Sequence, residues 1–213
     1  MSQTTRMLVI FDVDSTLIEE EVIELLADFA GKRAEVEAVT ERAMSGELDF
    51  TASLKARVSH LKGLPQSVIE DTISRCTITN GAKELINAIH EAGGKVGAVS
   101  GGFTQLLEPL ARVLNLDFHR SNVLETVDGY LTGEVIGPII DKPAKATALA
   151  EWANSLNLDL KHTVAVGDGA NDLDMMAVAG LSIGFNAKPR VRKAADVILG
   201  SKNLSEVIVL LGL

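Results

Sequence analysis

Asp12 and Asp14 stand two positions apart in the stretch MLVIFDVDST, directly behind a short apolar run. Two later apolar runs end in a comparable way. The run Lys95–Val99 leads into Ser100-Gly101-Gly102-Phe103, and Thr163–Val166 leads into GDGANDLDMM, which holds Asp168 and Asn171. Asp12 and Asp168 offer hard oxygen ligands. A cation that keeps several waters, such as Mg²⁺, suits one or two carboxylates plus a substrate phosphate. Ser100 and the backbone N–H groups of Gly101 and Gly102 can cradle phosphate oxygens, because glycine lets the backbone approach closely. A positive side chain should complete such a site. Lys145, in DKPAKATAL, is one candidate and Lys142 the other. If the extended conformation continues past the first run, residues two apart share a face. One carboxylate can then attack phosphorus while the other handles a proton. The cation and the lysine would stabilise the charge of the transferring group.

These residues need a scaffold that brings three strand ends together. Five apolar runs read as buried parallel strands: Met7–Phe11, Lys95–Val99, Thr163–Val166, Leu181–Phe185 and Asp196–Leu199. Helical patterns fall between them, carried by Leu85, Ile86 and Ile89, by Leu106, Leu107, Leu110, Val113 and Leu114, and by Ala148, Leu149, Trp152 and Leu156. Alternating strands and helices predict an α/β fold, a Rossmann-like parallel sheet with helices on both faces. In such sheets ligands bind at the carboxyl ends of the strands, where the three polar stretches lie. Two segments break the alternation. Between Leu17 and Cys76, roughly sixty residues pass where a crossover needs only a dozen or so. Val22, Leu25, Leu26 and Phe29 follow amphipathic helical spacing there. Further helical pattern follows in AVTERAM, TASLKARVSHL and SVIEDTI. This segment is expected to form a small helical cap, residues 17–76, inserted after the first strand of a core made of 1–16 and 77–213. The second break, VLETVDGYLTGEVIG, is expected to form a β-hairpin turning at Asp128-Gly129.

Composition narrows the function classes. Twenty basic against 29 acidic residues give a net charge of −9, which argues against nucleic acid and anionic membranes as partners. No apolar stretch approaches the about 18 residues of a membrane span, and no signal peptide is expected, so a cytoplasmic protein is inferred. The single cysteine, Cys76, excludes an internal disulfide and agrees with a reducing compartment. No P-loop GxxxxGK[ST] or GxSxG pattern occurs. Oligomeric state is not legible.

With Asp12-Val13-Asp14-Ser15-Thr16, a later Ser100, Lys145 and GDGAND in this order, the chain resembles the haloacid dehalogenase-like phosphohydrolases over essentially its whole length. FDVDSTL, VSGGF and VAVGDGAND are close to the family's phosphoserine subgroup, which also places a helical cap directly after the first strand. The resemblance implies Mg²⁺-dependent conversion of O-phospho-L-serine and water to serine and phosphate through a phosphoaspartyl intermediate, the last step of serine biosynthesis. It implies Asp12 as nucleophile and metal ligand, Asp14 as general acid/base with its carbonyl on the metal, and Asp168 as the remaining protein ligand. Ser100, Gly101 and Lys145 match phosphate-site groups, and Asn171 a polar residue of the substrate site. In the cap, Glu21 aligns with an acid that reads the substrate ammonium and Arg57 with the arginine that reads its carboxylate. Met44 and Phe50 are the expected apolar walls. Asp172 and Asp174 are expected as accessory or helix-start acids, and His60, His90, His119 and His162 as incidental. No counterpart of the regulatory domain that some longer relatives carry ahead of the catalytic part is expected, so the resemblance does not extend to allosteric serine binding.

Two other functions use similar parts. A phosphotransferase would pass the phosphoryl group to another alcohol such as homoserine. A signalling receiver domain also uses strand-end aspartates, Mg²⁺ and a lysine, but receivers are shorter and lack the cap and the DxDxT pattern.

Overall fold

The computed structural model describes residues 5–45 and 48–213; the side chains at 41 and 43–45 are outside that description. Met44, expected as a cap wall, therefore lies outside the described side chains.

Among the described residues the sheet has seven strands: β1 (Leu8–Phe11), β2 (Lys95–Phe103), β3 (Phe118–Val127), β4 (Tyr130–Ile136), β5 (Thr163–Gly167), β6 (Leu181–Gly184) and β7 (Val197–Ile198). Their spatial order is β4-β3-β2-β1-β5-β6-β7. All neighbours run parallel except the β3–β4 hairpin. All five predicted strands are present. β1 is the centre because its side chains alternate between two cores. Val9 and Phe11 pack into one cluster with Leu85, Ile86 and Ile89 of α5 (Ala82–Glu91) and Leu106 and Leu107 of α6 (Thr104–Leu114). Leu8 and Ile10 face the other way, onto Leu149 and Trp152 of α7 (Lys142–Ser155) and Met175 of α8 (Leu173–Val178). No helix among the described residues is long and apolar enough to cross a membrane.

Between β1 and α5 lie α1 (Val22–Phe29), α2 (Arg33–Ser45), α3 (Phe50–Ser59) and α4 (Val68–Arg75). The chain enters and leaves this helical segment through two paired linkers. Ile18 bridges Ile78 in antiparallel fashion, Glu19 N donates to Thr77 O at 3.0 Å, and Thr79 N donates to Leu17 O at 2.9 Å. Val36, Leu54, Val58 and Leu61 of the segment belong to the same apolar cluster as Val9 and Phe11.

The second interruption is more than a hairpin. β3 is a ten-residue strand whose first part pairs in parallel with β2 and whose second part pairs antiparallel with β4. Its opening FHRSN lacks an apolar run, so the sequence pattern reveals only the turn half. The turn sits at Asp128-Gly129, both at positive φ, as expected for a two-residue hairpin loop. The hairpin also holds the helical segment: Gly63 N donates to Leu131 O at 2.8 Å, and Leu131 N to Leu64 O at 2.9 Å. Gly133 permits this closeness. It sits at φ 85°, and a Cβ there would lie 2.9 Å from Lys62 Cβ.

Candidate active site

β2, β1 and β5 are adjacent and nearly level, with Phe11 paired to Ala98 on one side and Val166 on the other. Their carboxyl ends therefore deliver Ser100, Asp12 and Asp168 to one place. The chain reaches β2 through α5 on one face of the sheet and β5 through α7 on the other, and such a switch point opens the crevice where ligands bind in such folds.

Asp12 and Asp168 are buried, and Asp172 joins them with no exposed surface. One carboxylate oxygen from each lies within 4.8 Å of the others. Lys145, also fully buried, donates to Asp12 Oδ1 at 2.5 Å and to Asp172 Oδ1 at 2.7 Å. α7 places this lysine because Asp141 caps its start, accepting from Ala144 N at 3.0 Å, and Pro143 fits the first turn. Burial alone would lower the Lys145 pKa, but the two carboxylates outweigh it and hold the ammonium charged, well above its ordinary range. Burial pushes the Asp12 carboxyl up, and Lys145 opposes that push. Burial likewise raises Asp172 to about 6, with Asp12 adding to it, and Asp168 to about 6 against the pull of Lys188. The alternative lysine, Lys142, pairs at the surface with Asp174 at 2.7 Å, so the structure decides between the two.

The oxygens fit a hard cation. Asp168 Oδ2 is buried, lies 3.0 Å from Lys188 Nζ, and accepts no hydrogen bond of good geometry from any described residue. A buried carboxylate needs compensating charge, and Lys188 supplies it to this oxygen from one side. Together the oxygens of Asp12, Asp168 and Asp172 match the donor set that hard divalent ions prefer.

Asp14 occupies a different position. The turn Val13–Leu17 that follows β1 is irregular, with Asp14 extended (φ −62°, ψ 134°) and Ser15 left-handed (φ 56°). Asp14 Oδ1 accepts from Val22 N at 2.9 Å, so this carboxylate supplies the missing cap of α1. Its Oδ2 accepts from Ser100 Oγ at 3.2 Å. The Asp14 carboxylate thus stands apart from the three-acid cluster and faces the Ser100 loop. Burial, then Glu21 and Asp12, raise its pKa to about 7, a range in which one group can both give and take a proton.

Ser100 is buried and its Oγ accepts from Gly102 N at 2.8 Å. Gly101 faces the helical segment: a Cβ there would lie 2.9 Å from Phe50 Cζ, so the ring of Phe50 covers the loop. Glu21 precedes α1, accepts from Ser15 Oγ at 2.8 Å, and lies 3.9 Å from Lys188 Nζ. Its neighbour Glu20 serves the linkers instead, accepting from Thr77 N at 2.8 Å, which separates the roles of these consecutive acids. Arg57 is held by a bond from its Nε to Ser53 O at 3.3 Å. Burial lowers its pKa, opposed by the charges of Glu21, Asp14 and Glu24, so the guanidinium sits in the field of the same acids. Asn171 lies in the turn after β5, its carboxamide folded against Gly169, where a Cβ would collide with it.

Asp172, expected as an accessory acid, is buried beside Asp12 and Asp168 and accepts from Lys145; Asp174 is a surface partner of Lys142. Lys188 was missed. It follows β6, the strand next to β5, and reading one more strand end outward would have found it.

The model of the haloacid dehalogenase-like hydrolase family matches residues 9–177. A phosphoserine phosphatase of Streptococcus thermophilus is 48% identical over 204 residues, covering 96% of this chain and 95% of that protein. One of Mycobacterium tuberculosis is 52% identical over 208 residues, covering 98% of this chain and 51% of that protein. The chain spans about half the length of that relative and of the Streptomyces coelicolor phosphoserine phosphatase, which is 51% identical. A solved phospho-aspartyl intermediate analogue of phosphoserine phosphatase superposes with a TM-score of 0.92 at 41% identity, covering 97% of this chain and 99% of that one. A substrate-bound phosphoserine phosphatase complex gives 0.93 at 40% identity, covering 98% and 99%.

Proposed function

The chain belongs to the haloacid dehalogenase-like hydrolase family, and on that premise we propose that it hydrolyses O-phospho-L-serine to serine and phosphate. The observation that carries the reading is the division of labour between Asp12 and Asp14. Asp12 is clamped by a buried ammonium at the tip of β1, while Asp14 faces the Ser100 loop and the start of the helical cap. Likeness to phosphoserine phosphatases along nearly the whole length of several of them supports the substrate.

In the proposed reaction an Asp12 oxygen attacks phosphorus and the bond to the serine oxygen breaks. Asp14, in its protonated form, gives that oxygen its proton. Asp14 then takes a proton from water as the water attacks the phosphoaspartate, which frees phosphate and restores Asp12. Lys145 lies against Asp12 and offsets charge on the phosphoryl oxygens, which the Ser100 hydroxyl and the Gly101 N–H bind. A divalent cation held by Asp12, Asp168 and the Asp14 carbonyl, proposed to be Mg²⁺, would neutralise charge on the transferring group. Glu21 reads the substrate ammonium and Arg57 its carboxylate, which an arginine fork can hold with two bonds. Asn171 completes the polar wall. Segment 17–76 acts as the cap that excludes water. A cytoplasmic setting is part of this proposal, supported by the lone, half-buried Cys76, whose thiol burial raises to about 11.

The test is a substrate panel with Mg²⁺. Phosphoserine should release phosphate rapidly, phosphoethanolamine and a sugar phosphate slowly, and chelation by EDTA should stop release. Equal rates on phosphoethanolamine, which lacks the carboxylate, would defeat the Arg57 assignment. Transfer of phosphate to added homoserine in place of water would make the protein a phosphotransferase.

A further inference from the structure

We propose that Asn122 is a positioning residue for phosphoryl transfer, its single carboxamide fixing the phosphate loop against the segment that delivers Lys145. This inference rests on the phosphatase reading above. Along the β2–β3 ladder Val99 pairs with Arg120, and the next pair is Phe103 with Asn122. Four steps along β2 are thus matched by two along β3, and Ser100, Gly101 and Gly102 run out of register. That departure takes the loop out of the regular ladder and removes carbonyl partners that the ladder would supply.

Asn122 repairs the loss. Its Nδ2 donates to Gly101 O at 2.8 Å. Its Oδ1 accepts from Ile140 N, also at 2.8 Å. Ile140 directly precedes Asp141, which caps α7, and Lys145 N donates to Asp141 O at 3.0 Å one turn later. One side chain therefore couples the loop that holds the phosphate to the helix that carries the lysine. Asn122 is itself held, because Thr104 Oγ1 donates to its carbonyl at 3.0 Å. It is 1% exposed, so neither bond has water as a substitute. A carboxamide offers a donor and an acceptor on one planar group whatever the pH. An ionised carboxylate keeps the acceptor and loses the donor, and leucine loses both. Asn122 bonds the loop backbone rather than the reacting atoms, so its effect on rate passes through geometry.

Asn122→Leu and Asn122→Asp in the full chain, assayed with phosphoserine and Mg²⁺ well below the melting temperature, test this. For Asn122→Leu we expect kcat to fall about 10- to 100-fold, the scale of a small misplacement of catalytic groups. Competitive inhibition by inorganic phosphate should weaken, while the circular dichroism spectrum and cooperative unfolding persist. Asn122→Asp should lose activity at pH 7.5 and regain it as pH falls, because the protonated carboxyl recovers a donor for Gly101 O. Asn122→Asp carries the test alone if the leucine variant does not fold. A lowered melting temperature with kcat, KM and phosphate inhibition unchanged would mean a merely structural role and overturn the inference. If the wild-type protein itself releases no phosphate, the phosphatase reading fails and this inference with it; an active wild type with unaltered variants defeats this inference alone.

Discussion

At the scale of residues, Lys145 decides how the acidic cluster can exist. Its ammonium bonds Asp12 and Asp172 in a space without exposed surface. Removing one partner of a buried ion pair strands the other charge, which costs about 3–5 kcal/mol, whereas removing a surplus charge does not. The two ends of this contact should therefore respond differently. Asp12→Asn leaves the Lys145–Asp172 pair intact, so phosphate release should disappear almost completely while the melting temperature holds or rises. Lys145→Met leaves two buried carboxylates facing each other, so it should lose both activity and several degrees of melting temperature. Activity assays alongside thermal melts check this pair. Substantial turnover by Asp12→Asn would defeat the covalent mechanism. Asp12, Asp14, Ser100 and Asp168 were legible in the sequence because each stands where an apolar run stops. Glu21 and Arg57 were reached only through the resemblance, because neither stands at a strand end.

At the scale of elements, the strands' two ends do different work. The carboxyl ends hold chemistry, and the opposite end holds the sheet together. There Asp117, just before β3, accepts from Lys95 Nζ at 2.6 Å and from Val96 N at 2.9 Å, with His90 Nε2 of α5 at 2.8 Å. Burial would raise its pKa, but these bonds outweigh it and hold the carboxyl below its ordinary value. A carboxyl with a depressed folded-state pKa adds stability above its unfolded value, near 4, and loses it as pH falls through the lower folded value. Asp117→Asn should thus destabilise by about 0.5–1 kcal/mol at pH 7, allowing for solvent screening. The gap from wild type should close as pH drops below 4, as urea unfolding at several pH values would read. A gap unchanged at pH 3 would place the effect in packing instead of charge. The hairpin is the element the sequence understated. Its turn was clear from Asp128-Gly129, but its bonds to residues 63 and 64 depend on a neighbour more than sixty positions away.

At the scale of the whole molecule, the helical segment and the sheet share one apolar cluster, from Val36, Val58 and Leu61 through to Val9, Phe11 and Ile89. Elements that share a core unfold together. Trp152, the only tryptophan, lies in the other layer, stacked on Phe118 with ring centroids 5.3 Å apart. Its fluorescence therefore reports the other apolar cluster, while far-ultraviolet circular dichroism reports every helix. The two signals should follow one urea transition with the same midpoint; separated midpoints would show that the segment melts independently. The sequence by itself determined the alternation of strands and helices, the insertion after β1 and the acids at the strand ends, because apolar periodicity and its interruption are local properties of the chain. The tertiary structure alone decided that Lys145 and not Lys142 enters the cluster, that Asp172 joins it, that Glu20 and Glu21 part company, and that Asn122 bridges two loops. Each of these depends on which groups are brought together from distant positions and deprived of water, and burial and distance between remote residues are not written in any local pattern.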